Sequence, residues 1–266
     1  MRYQKSSSYL VTLSVALGVA LVPFTFMTPQ LNAQQLYAKL SFPRTPVGAP
    51  RITVGGGTRS SGPSCGVSKK SPLIVLSPQN NVVTTVSAQP TLFWYVPKTS
   101  AKSAEFVVYD NGGQTLYQTT LALTGTPGVV KLSLPPTVAL ETNKKYDWTF
   151  ALKCNPNPNQ NSADVRIQDA DDMVQAPDVM VKGSLKRTVL TSGQKSQLAA
   201  AKQPLKQAEV YAKAGVWQET LSILAQLRHD RPSDRDVNAA WKELLESVDL
   251  KNIASEPLVE CCRADK

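Results

Sequence analysis

The run Lys144-Lys145-Tyr146-Asp147-Trp148-Thr149-Phe150-Ala151-Leu152-Lys153-Cys154 restricts the fold of this chain more than any other stretch, because it alternates between two faces without a break. Tyr146, Trp148, Phe150, Leu152 and Cys154 share one side; Asp147, Thr149, Ala151 and Lys153 share the other. Successive side chains of a strand point to opposite faces, so this spacing predicts a strand with an aromatic face in a core and a polar face in water. With 266 residues, the chain is long enough to build such a core as one large domain or two modest ones.

Short β-rich runs separated by turn residues surround this strand. They are Leu73–Leu76, Val82–Val86, Thr91–Val96 between Pro90 and Pro97, Ala104–Tyr109, Gln114–Leu123, Gly128–Leu134 before Pro135-Pro136, and Val179–Val189. Asp110-Asn111-Gly112-Gly113 supplies the positive φ angles that a hairpin demands. About seven strands with regular turn signals predict an antiparallel sandwich. The 19 prolines, above the usual share of about 5%, cluster in this half and oppose long helices there. Trp94, the run Phe106-Val107-Val108-Tyr109, and Leu140 six residues ahead of Tyr146 resemble the pattern of fibronectin type III and immunoglobulin-like domains. That resemblance implies a tryptophan filling the core and a tyrosine hydroxyl bonded back to the corner it leaves.

After residue 192 the hydrophobic period lengthens to about 3.6. Leu205, Ala208, Val210, Tyr211 and Ala212 line one helix that Gly215 can end; Leu221, Leu224, Ala225 and Leu227 line a second, stopped before Pro232. Trp241, Leu244, Leu245 and Val248 line a third, with Ser233 or Asp234 as its cap. The fold class expected is therefore α+β: a β-sandwich followed by a small bundle of about three helices. Tyr211, Gly215, Trp217, Leu224 and Pro232 resemble one tetratricopeptide repeat, with Ala208 and Thr220 departing from its usual glycine and alanine. Trp94, Tyr146, Trp148, Phe150, Tyr211, Trp217 and Trp241 are assigned to the core rather than to ligand stacking.

The expected layout is a signal peptide over 1–33, an irregular Pro/Gly/Ser-rich leader over 34–71, the β domain over 72–190 and the helical domain over 193–262. Arg2 and Lys5, the apolar run Leu10–Phe26 and Ala33 before Gln34 fit a secretory signal and predict export to the periplasm or beyond. An uncleaved anchor helix is the competing reading. In an exported chain, Cys65, Cys154, Cys261 and Cys262 point to disulfides. Four cysteines allow three pairings, and an adjacent 261–262 bridge would strain its peptide bond. Cys261 and Cys262 are therefore expected to reach back toward Cys65 or Cys154.

Gly55-Gly56-Gly57-Thr58-Arg59, Pro90–Pro97, Tyr146-Asp147-Trp148, Gly215-Val216-Trp217 and Glu260-Cys261-Cys262 together resemble a cyanobacterial family of exported proteins known only as a domain of unknown function, numbered 928. The resemblance covers residues 55–262, implies export and the two-part layout, and transfers no activity.

Formal charge is +9, and losing Arg2 and Lys5 with the signal would leave +7. Lys182, Lys186, Arg187, Lys195, Lys202, Lys206 and Lys213 face Glu209 alone between residues 182 and 213. Such a collar suits an anionic lipid or acidic polysaccharide and, in this compartment, not nucleic acid. Its plainer reading is a solvated face. Asp164, Asp169, Asp171 and Asp172 invite calcium, but Met173 and Val174 stand where an EF-hand loop needs Asp or Asn and then Gly. The cysteines lack zinc spacing, and the glycine run lacks the lysine of a phosphate-binding loop, so no metal or cofactor is expected. His229 is the single histidine, and no nucleophile elbow is present. The expectation is a non-catalytic, envelope-associated interaction module that takes a peptide or partner helix on its helical hairpin. The alternatives are a carbohydrate-binding module displaying Tyr109 and Tyr117 and a hydrolase using the acidic insertion.

Overall fold

The computed structural model describes Met1 and residues 40–44, 65–68, 70–154 and 179–259. The signal segment, the Gly55-Gly56-Gly57 run, the acidic insertion over 162–177, Cys261 and Cys262 lie outside the described residues. The elements below belong to one compact unit, Tyr37–Lys266.

Among the described residues, eight strands form two sheets. One is three-stranded, with β1 (Ile74–Val75), β3 (Thr91–Val96) and β6 (Gly128–Ser133) in the order β1-β3-β6. The other is five-stranded and contains β2 (Val82–Thr85), β4 (Ser103–Tyr109), β5 (Thr115–Ala122), β7 (Lys145–Lys153) and β8 (Val179–Arg187). Its order is β2-β8-β7-β4-β5, which places the alternating strand at the centre. Tyr146, Trp148, Phe150 and Leu152 are buried there, while Asp147 is exposed. The pairing is antiparallel except between β2 and β8, which run parallel from Val82 opposite Ser184 to Thr85 opposite Arg187. This corrects the all-antiparallel expectation. The two strands are distant in sequence, so no hairpin dictates their direction.

Aromatic rings join the sheets. The Trp94 ring of β3 stacks on Phe150 of β7 at 4.4 Å and meets Phe106 and Trp148 edge-on at 5.2 and 5.8 Å. Each such pair adds about 0.5–1.5 kcal/mol to the effect of burial. At the corner before β7, the Tyr146 hydroxyl accepts the Glu141 N–H at 2.9 Å. The Asp110 carboxylate accepts from Gly112 and Gln114 and shapes the β4–β5 hairpin, with Gly113 at φ +78.

Among the described residues four helices follow: α1 (Ser192–Ala200), α2 (Pro204–Lys213), α3 (Trp217–Asp230) and α4 (Arg235–Ser247), then a 3-10 turn over Lys251–Ile253. The last three fall where the periodicity predicts, and Asp234 caps α4. The first is additional. It is held by a reciprocal cap between Thr191 and Gln194 and buries no residue, so it leaves no apolar period to read. The N-terminus of α3 is bonded to β2. The Thr84 hydroxyl lies between Gly215 O and Trp217 N, and Glu219 Oε1 accepts from Thr85 Oγ1, Val86 N and Ser87 N at 2.6–2.9 Å.

One bridge corrects the expected disulfide pairing. Cys65 and Cys154 are bonded to each other, with Cα atoms 5.0 Å apart across 89 residues of sequence. Neither is therefore available to Cys261 or Cys262. The bridge joins the segment before β1 to the exit of β7, where the fold brings the two backbones close enough for a disulfide.

Candidate functional site

The helical layer receives two buried residues of the leader, Leu40 and Phe42. Leu40-Ser41-Phe42-Pro43 alternates as an extended segment does, with Leu40 and Phe42 buried and Ser41 and Pro43 exposed. Its backbone is held by α4. Leu40 N–H donates to Glu243 Oε2 at 2.8 Å and Phe42 N–H to Ser247 Oγ at 3.0 Å. Glu243 and Ser247 stand four residues apart, hence on one helix face, at a spacing that serves alternate amides of an extended chain. Ser247 donates its own hydroxyl proton to Leu244 O at 2.7 Å, which leaves its oxygen facing the segment as an acceptor.

The Phe42 ring meets Trp217 edge-on at 5.0 Å. Trp217 is fixed from behind, its indole N–H donating to Leu76 O of the β layer at 2.8 Å. Burying side chains of this size is worth about 1.5–3 kcal/mol each. A cavity of about 670 Å³ adjoins the segment, lined by Ser41, Phe42, Arg44, Gln79, Glu243, Glu246, Ser247 and Asp249. A smaller one of about 50 Å³ opens beside Leu40, near Leu205, Glu209 and Asp236. Nearby, burial raises the Tyr211 phenol above its ordinary value, and the charge of Glu219 adds to the effect. Burial also lowers Arg228, whose guanidinium lies over Trp241 and donates to Glu256 O.

The other residues singled out in the sequence are placed as follows. Trp94, Tyr146, Trp148, Phe150, Trp217 and Trp241 are buried, and Tyr211 is half-buried. The basic run is divided among β8, α1, the α1–α2 connection, which holds Lys202, and α2. Lys182, Lys186, Lys195, Lys202 and Lys213 are exposed, and Lys206 pairs with Glu209 at 2.8 Å. Arg187 has a structural task, donating to Val86 O and Leu140 O. His229 is exposed near the end of α3.

Tyr117 packs toward Phe106 on the inner side of the sheet. Tyr109 borders a third cavity, of about 280 Å³, with Asp147, Thr149, Lys182 and Ser184 on the outer side. Among the described residues no group of three or more His, Cys, Asp or Glu is placed to hold a metal ion. Sequence reasoning missed Leu40, Phe42, Glu243 and Ser247. The available signal was Leu-x-Phe inside a leader otherwise rich in turn residues.

These features define a mixed α+β protein with two sheets and a helical layer on which Leu40 and Phe42 are seated. The family model described as Domain of Unknown Function (DUF928) matches residues 54–258, and the chain belongs to that family. No curated protein matches it.

Proposed function

We propose that this protein is an exported, non-catalytic, envelope-associated interaction module that grips an extended segment bearing two apolar residues at alternate positions. The seating of Leu40–Arg44 carries this reading. Two side-chain acceptors on α4 and two apolar sockets hold a short extended stretch, and main-chain bonds with alternate pockets are how such peptides are recognised. A partner segment would compete with the leader, which is tethered and so held at high effective concentration.

The rest of the molecule serves as a rigid support. The order of both sheets, the tyrosine corner and Trp94 between the layers favour an immunoglobulin or fibronectin III-like sandwich. The turn at Gly215 favours a tetratricopeptide-like hairpin in α2 and α3. The Cys65–Cys154 bridge suits an oxidising compartment, in keeping with a cleaved signal, a cyanobacterial periplasm or the exterior. The exposed lysines would guide the protein toward an anionic lipid or polysaccharide surface. A carbohydrate-binding role is the second reading, favoured by the cavity at Tyr109, Asp147 and Ser184.

The test uses the full chain with Leu40→Asp and Phe42→Asp together, its fold checked by circular dichroism, and a fluorescent peptide of residues 38–46. The variant is expected to bind the peptide, and the wild type at least tenfold more weakly because its own leader competes. A folded variant that ignores the peptide at millimolar concentration would overturn the reading.

A further inference from the structure

Two open sheets present four edges, and three of them are blunted within the chain. The edge of β6 is paired by the C-terminal segment, where Val129 N donates to Pro257 O and Val259 N donates to Val129 O. Gly128 makes this approach possible, since a Cβ there would lie 2.6 Å from Val259 Cγ2 and 2.7 Å from Pro257 O. At β2, Thr84 and Glu219 join the strand and the backbone after it to α3. β1 has two residues and offers almost no template.

The fourth edge, β5, has no such cover among the described residues. It is eight residues long, pairs among them with β4 alone, and is exposed along most of its length. Natural proteins usually protect such an edge with lysine, proline or a covering element. Here no charged residue occurs from Asn111 through Val130, in a chain with 29 Lys or Arg and 20 Asp or Glu. Leu116, beside the turn, is 42% exposed, one of the few large apolar side chains among the described residues that reach water.

We propose that β5 pairs antiparallel with β5 of a second copy of this chain, about a two-fold axis at Thr119, to make one continuous ten-stranded sheet. The occupant is a second copy because the strand carries no charge to repel its symmetry mate and its residues complement one another about Thr119. Pairing about Thr119 sets each residue opposite one that complements it. On the inner face Tyr117 meets Leu121 of the other copy, extending the core that Phe106 and Leu121 already share. On the outer face Gln118 meets Thr120, and the large Leu116 meets the small Ala122. Free backbone groups and cross-strand pairs would supply the attraction. The contact is small, so the dimer forms at protein concentrations on the order of 100 µM, as for other transient interfaces.

Sedimentation of the full chain across that range tests it, together with two charge variants at the exposed, mutually opposed positions. Wild type is expected to dimerise. Leu116→Lys/Ala122→Lys and Leu116→Glu/Ala122→Glu are each expected to stay monomeric with unchanged melting temperature, and their equimolar mixture to recover the dimer. Wild type that remains monomeric, or a mixture that does not recover association, would sink the proposal. The leader variant Leu40→Asp/Phe42→Asp is expected to dimerise normally, which separates this interface from the leader's seat on the helical layer.

Discussion

Gly183 shows how one side chain, or its lack, sets the interior. It sits opposite Trp148 in the β7–β8 pairing, and a Cβ built on it would lie 2.5 Å from Trp148 Cζ2 and 2.9 Å from Asn81 Oδ1. The indole edge occupies the space a larger residue would need, and neither the ring nor the turn at Asn81 can yield without disturbing its neighbours. Gly183→Ala is therefore expected to cost about 1–3 kcal/mol by overpacking. In urea denaturation its midpoint should fall, while Gly193→Ala, whose added methyl meets nothing within 4 Å, should not lose stability. The need for glycine here was invisible in the sequence, because it follows from a contact between residues 35 positions apart in two paired strands.

At the scale of elements, the joint between β2 and α3 organises the molecule. A single carboxylate oxygen of Glu219 receives the Thr85 hydroxyl and the amides of Val86 and Ser87, ending the strand and fixing the start of the helix with one group. These donors are largely shielded from water, with Thr85 fully buried, so their loss of a partner is costly. Glu219→Ala is expected to destabilise the protein by roughly 2–4 kcal/mol, and Glu219→Gln, which retains an acceptor, by less. Thermal unfolding followed by circular dichroism would distinguish the two; equal, negligible losses would show that the joint contributes nothing. The alternating strand and three of the helices were legible because their apolar periods arise from burial on one face. α1 was not, although its reciprocal Thr191–Gln194 cap is a local signal that could have revealed it.

For the whole molecule, the Cys65–Cys154 bridge ties the segment before β1 to the end of the central strand. Cys65 O also accepts from Ser100 N and the Thr99 hydroxyl, so the bridged turn is anchored to the segment between β3 and β4 as well. Closing so long a loop restricts the unfolded chain, and Cys65→Ser/Cys154→Ser is expected to cost about 2–4 kcal/mol. Urea unfolding of oxidised wild type, reduced wild type and this variant gives the comparison, with the last two expected to coincide. The buried residues of the sheets and the helices form one continuous cluster, which the leader extends through Leu40 and Phe42. An unlatched leader and a lost disulfide should therefore be felt across the same cooperative unit.

What the amino-acid order determined alone was local: which stretches are strands, which are helices, where the turns fall, and that aromatic faces must meet. These are periodicities and turn chemistries carried by neighbouring residues. Tertiary structure decided which cysteine finds which, why Gly183 must be small, that Arg187 serves two carbonyls, and what is seated on the helical layer. Leu40 and Glu243 are 203 residues apart, and no spacing along the chain encodes their meeting. Such contacts arise only when the packed elements bring distant backbone donors within reach of side-chain acceptors, and that geometry is a property of the whole fold.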